Sequence, residues 1–163
     1  MLTIKHATEV DIPLIRSLCL QIWPQTYQAL LTQEQIDFML ELMYSEAAIK
    51  KQLAEEKCQY LLIYEDGLPS GYASFSNLET SIWQLHRLYI LPQEQGKGIG
   101  KNVINYIIDI IKKENGKILK LQVHRKNKAK LFYENLGFSI IETADFDIGN
   151  GYFMTDYVME KGL

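Results

Sequence analysis

The segment Gln95-Gly96-Lys97-Gly98-Ile99-Gly100-Lys101 lies between a strand-like and a helix-like stretch of this 163-residue chain. The preceding residues 83–90, WQLHRLYI, are rich in β-branched and aromatic side chains. In the following residues 102–111, NVINYIIDII, apolar side chains recur at intervals of three and four, which predicts a helix. A glycine-rich turn that opens a helix after a strand leaves backbone N–H groups free at the positive end of the helix. The segment is therefore predicted to bind phosphate.

The spacing of the glycines decides between three kinds of phosphate-binding loop. The nucleoside-triphosphate loop has a glycine five residues before its Gly-Lys pair, but Gln95 and Leu91 occupy the corresponding positions here. The dinucleotide motif G-x-G-x-x-G fails as well, because Lys101 or Val103 would occupy its last position. The pattern that remains is Q-x-x-G-x-G over residues 95–100.

This pattern resembles the acyl-CoA pyrophosphate loop of the GCN5-related N-acetyltransferase (GNAT) superfamily. A second stretch, NKAKLFYENLGF at residues 127–138, is similar to the family segment in which an asparagine and an alanine precede a Phe-Tyr pair and a Gly-Phe pair. The two segments occur in the family's order and at a typical separation. Together they are stronger evidence than either alone.

The order of the predicted elements agrees with this resemblance over the whole chain. We expect a strand, two or three helices, three strands, a helix, a strand, a helix and two strands, with the first helix ending at Trp23-Pro24. The resemblance implies an α+β fold of three α/β layers, the GNAT acyl-CoA N-acyltransferase fold. Its central mixed, mostly antiparallel sheet has about seven strands flanked by helices. Residues 1–163 would form a single acetyltransferase domain.

Composition restricts the expected partners. The 17 basic and 20 acidic residues give a net charge of −3, which offers no electrostatic support for binding nucleic acid. The two cysteines, Cys19 and Cys58, have neither metal-binding nor redox spacing, so we expect no metal and no disulfide. Residues 1–6 lack the layout of a signal peptide, and no apolar run approaches the ~20 residues of a membrane span. We therefore expect a cytoplasmic protein with no membrane partner.

The resemblance implies that acetyl-CoA is the acyl donor and that no metal takes part. In the family, the backbone of the strand before the loop pairs with the pantetheine arm, and the loop binds the pyrophosphate. Carried over to this sequence, the donor-binding residues come from that strand, from the loop and from the second segment: Leu88, Tyr89, Ile90, Gln95, Gly96, Lys97, Gly98, Ile99, Gly100, Lys101, Asn127 and Tyr133.

Acyl transfer to an amine needs a proton for the departing thiolate and a base for the ammonium group. Tyr133 corresponds to the family tyrosine whose hydroxyl approaches the CoA sulfur, so the resemblance implies that it is the general acid; simple packing beside Phe132 is the alternative. His86 precedes the donor contacts, where many relatives carry a glutamate base. A histidine titrates near neutrality and suits this role, but a hydrogen-bonded structural histidine explains the residue equally well.

The acceptor is expected to lie between the helical first 55 residues and the last hairpin. Acidic and aromatic side chains in these regions suit a cationic amine, although a solvated charged face is the alternative for most of them: Trp23, Tyr27, Glu34, Asp37, Glu41, Asp145, Asp147 and Asp156. The ending from Thr155-Asp156 to Met159 is also similar to bacterial diamine and polyamine acetyltransferases. We therefore expect acetyl transfer to the primary amine of a small molecule, and specifically of a diamine or polyamine.

Three points stay open at this stage. A protein or peptide N-acetyltransferase would differ only in its acceptor. A non-catalytic acyl-CoA sensor would keep the glycine loop without turnover, and the presence of Tyr133 argues against it. Exposed strands in this family often pair, so the resemblance also leaves a homodimer open.

Overall fold

The computed structural model describes residues 1–163 as seven strands and five helices. The strands are β1 (Leu2–His6), β2 (Gln59–Glu65), β3 (Leu68–Glu79), β4 (Ile82–Ile90), β5 (Ile118–His124), β6 (Ser139–Gly149) and β7 (Tyr152–Gly162). The helices are α1 (Ile12–Tyr27), α2 (Gln33–Tyr44), α3 (Glu46–Ala54), α4 (Ile99–Lys113) and α5 (Ala129–Asn135). The predicted order of elements is confirmed.

All seven strands form one sheet in the order β1-β2-β3-β4-β5-β7-β6. Every neighbouring pair is antiparallel except β4 and β5, which are parallel. The sheet is therefore mixed and mostly antiparallel, as the sequence predicted. The two edge strands of the sheet are β1 and β6. The homodimer that the family resemblance left open stays a prediction.

The parallel pair of strands separates halfway along its length. β4 and β5 pair from Ile82 opposite Ile118 to Leu85 opposite Leu121, and no pairing follows, although β4 continues to Ile90 and β5 to His124. β5 keeps β7 as its partner over its whole length. The facing edges of β4 and β5 therefore open into a gap in the middle of the sheet.

A β-bulge in β4 lies where this gap begins. Phe75 of β3 pairs with Leu85 and Ser74 pairs with Arg87, so His86 is the extra residue. In a regular strand the side chains of Leu85 and Arg87 would point to the same face. Instead, Leu85 packs in the core beneath α4, whereas Arg87 lies on the opposite face of the sheet. The bulge therefore changes which side chains of β4 reach the helices α1 to α3.

Helices cover both faces of the sheet and complete three layers. The apolar stripe of α4, from Ile99 to Ile111, packs with α5 on one face, against alternate residues of the central strands. On the other face, α1, α2 and α3 pack on a second core that is rich in aromatic side chains. None of the five helices has the length and apolarity needed to cross a membrane.

The expected end of the first helix at Pro24 is wrong, because α1 continues to Tyr27. Proline lacks an N–H and removes one hydrogen bond of the helix, but it leaves the following turn able to form. Gln28 N–H donates to the Pro24 carbonyl, and the buried side chains of Trp23 and Tyr27 pack against each other with ring centroids 4.6 Å apart. Tertiary packing of this last turn outweighs the local effect of the proline.

Candidate active site

The turn between β4 and α4 presents a row of unused backbone donors. The N–H groups of residues 96–101 donate no hydrogen bond to any protein acceptor, whereas Gln95 N–H donates to Pro92 and Asn102 N–H donates to Gly98. These six groups lie at the N-terminal end of α4, where the helix dipole attracts negative charge. A diphosphate has both the charge and the acceptor oxygens that such a turn requires. The predicted loop residues therefore form a site that fits a pyrophosphate.

Two glycines of this turn have different physical roles. Gly98, the residue before α4, has a φ of 79°, in the left-handed region that L side chains rarely adopt. Gly100 lies inside the helix, and a Cβ there would come within 3.0 Å of the Phe132 ring of α5. The first glycine shapes the loop, and the second lets α4 and α5 approach.

The polar side chains of the loop are not equivalent. Gln95 donates from Nε2 to the carbonyl of Ile90, at a distance of 3.0 Å, and so attaches the loop to the end of β4. Lys97 forms an exposed ion pair with Glu94 at 2.9 Å. Lys101 is exposed and has no ion-pair partner, so its cation is available to a bound anion.

The gap between β4 and β5 continues from this loop into the sheet. It encloses a cavity of about 50 Å³ whose walls include Leu88, Tyr89, Val123, Asn127 and Tyr133. Leu91 N–H donates to β3, and backbone groups alternate in direction along a strand, so the N–H of Ile90 points into the gap. Leu88 and Ile90 pack their side chains against the aliphatic core, and Tyr89 packs against the aromatic one. A chain lying in the gap would therefore meet the backbone of these three residues.

Two residues of the second predicted segment reach this gap. Tyr133 is buried, its hydroxyl makes no hydrogen bond to the protein, and burial raises its pKa, so the phenol keeps its proton. Asn127 Oδ1 accepts a hydrogen bond from the N–H of Ala129, the first residue of α5, at 2.9 Å. The N-cap residue of α5 is Lys128, so Asn127 lies one residue before the cap.

On the opposite side, the gap opens into a larger cleft between the sheet and the helices α1 to α3. The cleft has a volume of about 220 Å³ and is lined by residues of α1, α2, α3, β4, β5 and β7. Tyr27, Leu85, His86, Arg87, Tyr89 and Gln122 line both the cleft and the gap. A reactive group held in the gap would therefore face a molecule held in the cleft.

His86 lies at the junction of the gap and the cleft. Its Nε2 and the Ser76 hydroxyl are 2.7 Å apart. Part of the residue reaches solvent, but desolvation of the ring and the nearby charge of Arg87 lower its pKa to about 4. The imidazole is therefore neutral at physiological pH, and it is a weaker base than an ordinary histidine.

Arg87 is a residue of the cleft that the sequence reasoning missed. Its guanidinium lies over the Tyr44 ring at 4.6 Å, and Nη1 donates to Gln52 Oε1 at 2.9 Å and to the Tyr60 hydroxyl at 2.5 Å. It has no carboxylate partner. The sequence signal was the adjacent polar pair at residues 86 and 87, which interrupts the alternation of a strand and indicates a bulge.

Asp156 of β7 is the buried acid of the cleft. Only 1% of the residue is exposed, and neither carboxylate oxygen has a hydrogen-bond partner. Burial raises its pKa to about 6, against a smaller opposing effect of Arg125. An unpaired buried carboxylate is costly, so a cationic ligand in the cleft would relieve this cost.

The structure brings together only part of the predicted acceptor set. Trp23, Tyr27 and Asp156 line the cleft. The other acidic residues of that set are exposed and lie outside it, as a solvated charged face would: Glu34, Asp37, Glu41, Asp145 and Asp147. The structure contains no cluster of three or more His, Cys, Asp or Glu side chains suited to a metal, and the expectation that no metal takes part stays a prediction.

Comparison with known proteins identifies the family. The model of the acetyltransferase (GNAT) domain matches residues 28–161. The chain belongs to the GNAT acetyltransferase family. The predicted family, the fold class and the transferase character of the chain are thereby confirmed.

Individual relatives of this GNAT chain are distant. Spermidine N(1)-acetyltransferase of Thermoplasma acidophilum is 24% identical over 156 residues, which cover 93% of the chain and 91% of the relative. The crystal structure of the PaiA N-acetyltransferase from the same organism, in complex with coenzyme A, has a TM-score of 0.84 at 23% identity and covers 100% of this chain and 99% of that one. An uncharacterized N-acetyltransferase of Methanocaldococcus jannaschii is 34% identical over 80 residues, 45% of the chain, and the match spans about a third of that relative's length (35%).

Proposed function

We propose that the protein transfers an acetyl group from acetyl-CoA to the primary amine of a small molecule. The observation that carries the proposal is the continuous path from the loop of six free N–H groups, through the gap between β4 and β5, into the cleft. The loop suits a diphosphate, the gap suits an extended chain with unpaired amides, and the cleft suits a small acceptor. Membership of the GNAT family supports the same reaction.

Residues of the loop, of β4 and of α5 each have a separate role in this reaction. When bound, acetyl-CoA supplies the acetyl group as an activated thioester. The N–H groups of residues 96–101 and the cation of Lys101 hold the negative charge of the diphosphate. The N–H of Ile90 stabilises negative charge on the acyl oxygen. The hydroxyl of Tyr133, which keeps its proton because it is buried, supplies a proton to the departing sulfur.

We further propose that the acceptor is a diamine or polyamine. Two features support this narrower class. The cleft contains the aromatic faces of Trp23 and Tyr27 together with the carboxylate of Asp156. A relative that matches most of the chain is a spermidine acetyltransferase. Aromatic faces and an acid both favour a cationic ligand. The buried cation of Arg87 lines the same cleft, so only one ammonium group of the acceptor would enter deeply.

An amine panel tests both levels of the proposal. Release of free CoA from acetyl-CoA is followed with spermidine, 1,5-diaminopentane, propylamine, several amino acids and a short peptide. We expect turnover with the amines, and a higher kcat/KM for the polyamine than for propylamine. Turnover of the peptide or the amino acids alone would remove the polyamine class but keep the acetyltransferase. Tight CoA binding without transfer to any acceptor would indicate a sensor instead.

A further inference from the structure

The carboxylate of Asp156 forms no ion pair and accepts no hydrogen bond. Asp156 lies opposite His124 of β5, and its two oxygens are buried without a hydrogen-bond donor. The cation that opposes its pKa shift is Arg125, whose Nη2 contacts Asp145 at 2.6 Å and the Ala144 carbonyl at 3.0 Å. The Nη2 group of Arg125 is therefore bound to the neighbouring strand β6.

The other polar groups around Asp156 are also engaged elsewhere. His124 accepts a hydrogen bond at Nδ1 from Lys126 N–H, so its other nitrogen carries the proton and donates to the Thr155 hydroxyl at 3.2 Å. From α1, the Tyr27 hydroxyl bonds with that of Tyr89 at 2.8 Å. No hydrogen-bond donor of the protein reaches this carboxylate, and Arg125 offsets only part of the effect of burial, so the ionised form of Asp156 remains costly.

We propose that Asp156 receives the ammonium group of the acceptor and takes the proton that the nitrogen must lose before it attacks. The proposal rests on the proposed N-acetyl transfer and deepens it, because it names the group that binds the acceptor. The ammonium ion supplies both the charge and the N–H donors that the two carboxylate oxygens lack. Asp156 thereby takes the role of the base, which the sequence analysis had considered for His86.

The acceptor nitrogen loses two protons during the transfer. One proton passes from the ammonium to the carboxylate of Asp156, and the neutral nitrogen then forms a bond to the acetyl carbon. The carbon–sulfur bond breaks, and the sulfur leaves with the proton of Tyr133. The second proton lost by the nitrogen restores the Tyr133 hydroxyl, and the proton on Asp156 passes to water. The net products are an amide, free CoA and one proton.

The two candidate bases differ in the pH at which they titrate. The charged and titratable groups that face Asp156 are Tyr27 from α1, His124 from β5 and the neighbouring Arg125; burial outweighs them and raises its pKa to about 6. Asp156 is active as a base when ionised, so kcat/KM would rise with pH through about 6 and then level off. A base at His86 would place that rise near pH 4 instead.

The experiment measures kcat/KM for spermidine and propylamine between about pH 3 and 9 in the parent protein and three variants. We expect Asp156→Asn to lower kcat/KM for both amines by about 10²-fold or more and to remove the rise near pH 6. His86→Gln should keep that rise. The matched control is Asp147→Asn, because this carboxylate lies exposed on β6, outside the cleft, and its substitution should leave the profile unchanged.

A stability measurement provides a second readout that does not depend on turnover. The pKa of Asp156 is higher in the folded protein than in the unfolded chain, so ionisation destabilises the fold as pH rises from about 4 to about 6. The melting temperature of Asp156→Asn relative to the parent should therefore shift upward by about 6–12 °C over this interval. A carboxylate whose role was purely structural would instead make the variant less stable at neutral pH.

The possible results separate this proposal from the function on which it rests. If Asp156→Asn keeps the rise near pH 6 and loses less than threefold in kcat/KM, the assignment to Asp156 is wrong while the acetyltransferase stands. A rise near pH 4 that disappears in His86→Gln would transfer the role to His86. A parent protein that turns over no amine would overturn the proposed function and this inference together.

Discussion

The donor side and the acceptor side of this molecule are built from different parts of the chain. On the donor side, between the glycine loop and the gap, most polar groups that face a ligand belong to the backbone of two short stretches, residues 88–90 and 96–101, and the Tyr133 hydroxyl is the main side-chain exception. On the acceptor side, the groups that face the cleft are side chains from six elements. Glycine spacing exposes backbone groups locally, whereas the cleft exists only once the topology has assembled it.

This difference predicts how substitutions on each side will behave. A side chain on the donor side matters mainly where it changes the path of the backbone or blocks it. On the acceptor side, removing a side chain removes the interaction itself and leaves its partners without a hydrogen bond. Four substitutions outside the further inference test this contrast.

The largest effect is expected for Gly98→Asp. Gly98 has a positive φ, and the substitution adds a Cβ and a negative charge beside the free N–H groups of the loop. We expect calorimetry to show a loss of CoA affinity of at least about 100-fold, because a carboxylate repels the diphosphate at close range. Gly151→Asp is the matched control, since Gly151 has a similar φ of 78° and lies in the exposed turn before β7. Undiminished CoA affinity in Gly98→Asp would contradict the role of the loop.

The second effect is expected for Tyr133→Phe, a change of one side-chain atom on the donor side. Its hydroxyl makes no hydrogen bond to the protein, so the variant should unfold at the same temperature as the parent. Loss of the general acid should lower kcat by roughly 10²-fold with little change in CoA affinity. Tyr157→Phe, in the same layer of the core, is the control and should keep full activity. A kcat within about twofold of the parent would assign Tyr133 to packing alone.

Arg87→Met tests the acceptor side by removing a guanidinium with several partners. Its hydrogen bonds to Gln52 and Tyr60 join α3 and β2 to the floor of the cleft, and its loss leaves these two side chains with only their bond to each other at this point. We expect urea unfolding to show a loss of about 2 kcal/mol. Arg16→Met, on the exposed face of α1, should change the stability by less than about 0.5 kcal/mol. Equal stability of the two variants would mean that the Arg87 network contributes nothing to the fold.

The smallest effect is expected for Gly100→Ala. The added methyl would approach the Phe132 ring to 3.0 Å, and this half-buried ring must move by a few tenths of an ångström. A stability loss of about 1 kcal/mol should accompany a change of less than about threefold in CoA affinity. Gly162→Ala is the control, because the methyl group added there meets no atom within 4 Å. A large loss of affinity without loss of stability would show that Gly100 borders the ligand.

The donor side could be predicted from the sequence because its elements are local. The glycine spacing, the helix after it and the segment from Asn127 to Phe138 are contiguous, and their order predicted the sheet and its layers. The error at Pro24 came from a local rule that buried aromatic packing overrides. Arg87 was missed because its orientation depends on the bulge at His86.

The acceptor side was only partly predictable for a related reason. Asp156 was one of eight candidate residues, and only the resemblance of the segment from Thr155 to Met159 sets it apart from Asp145 and Asp147 on the neighbouring strand. Burial separates them: Asp156 lies opposite β5 beneath the helices, whereas the other two lie exposed on the edge strand β6. That distinction requires the strand order, in which β7 inserts between β5 and β6.

The bulge in β4 makes the length of this strand as important as its composition. If β4 paired with β3 without the bulge, His86 would lie opposite Ser74 and the residues after Leu85 would exchange faces. Arg87 and Tyr89 would then turn toward the aliphatic residues beneath α4, and Leu88 and Ile90 would turn toward the cleft. A charge would enter one core and the polar wall of the other would disappear. Among close relatives of this protein, this strand should therefore keep the bulge or be shorter by the bulge residue, even where its side chains vary.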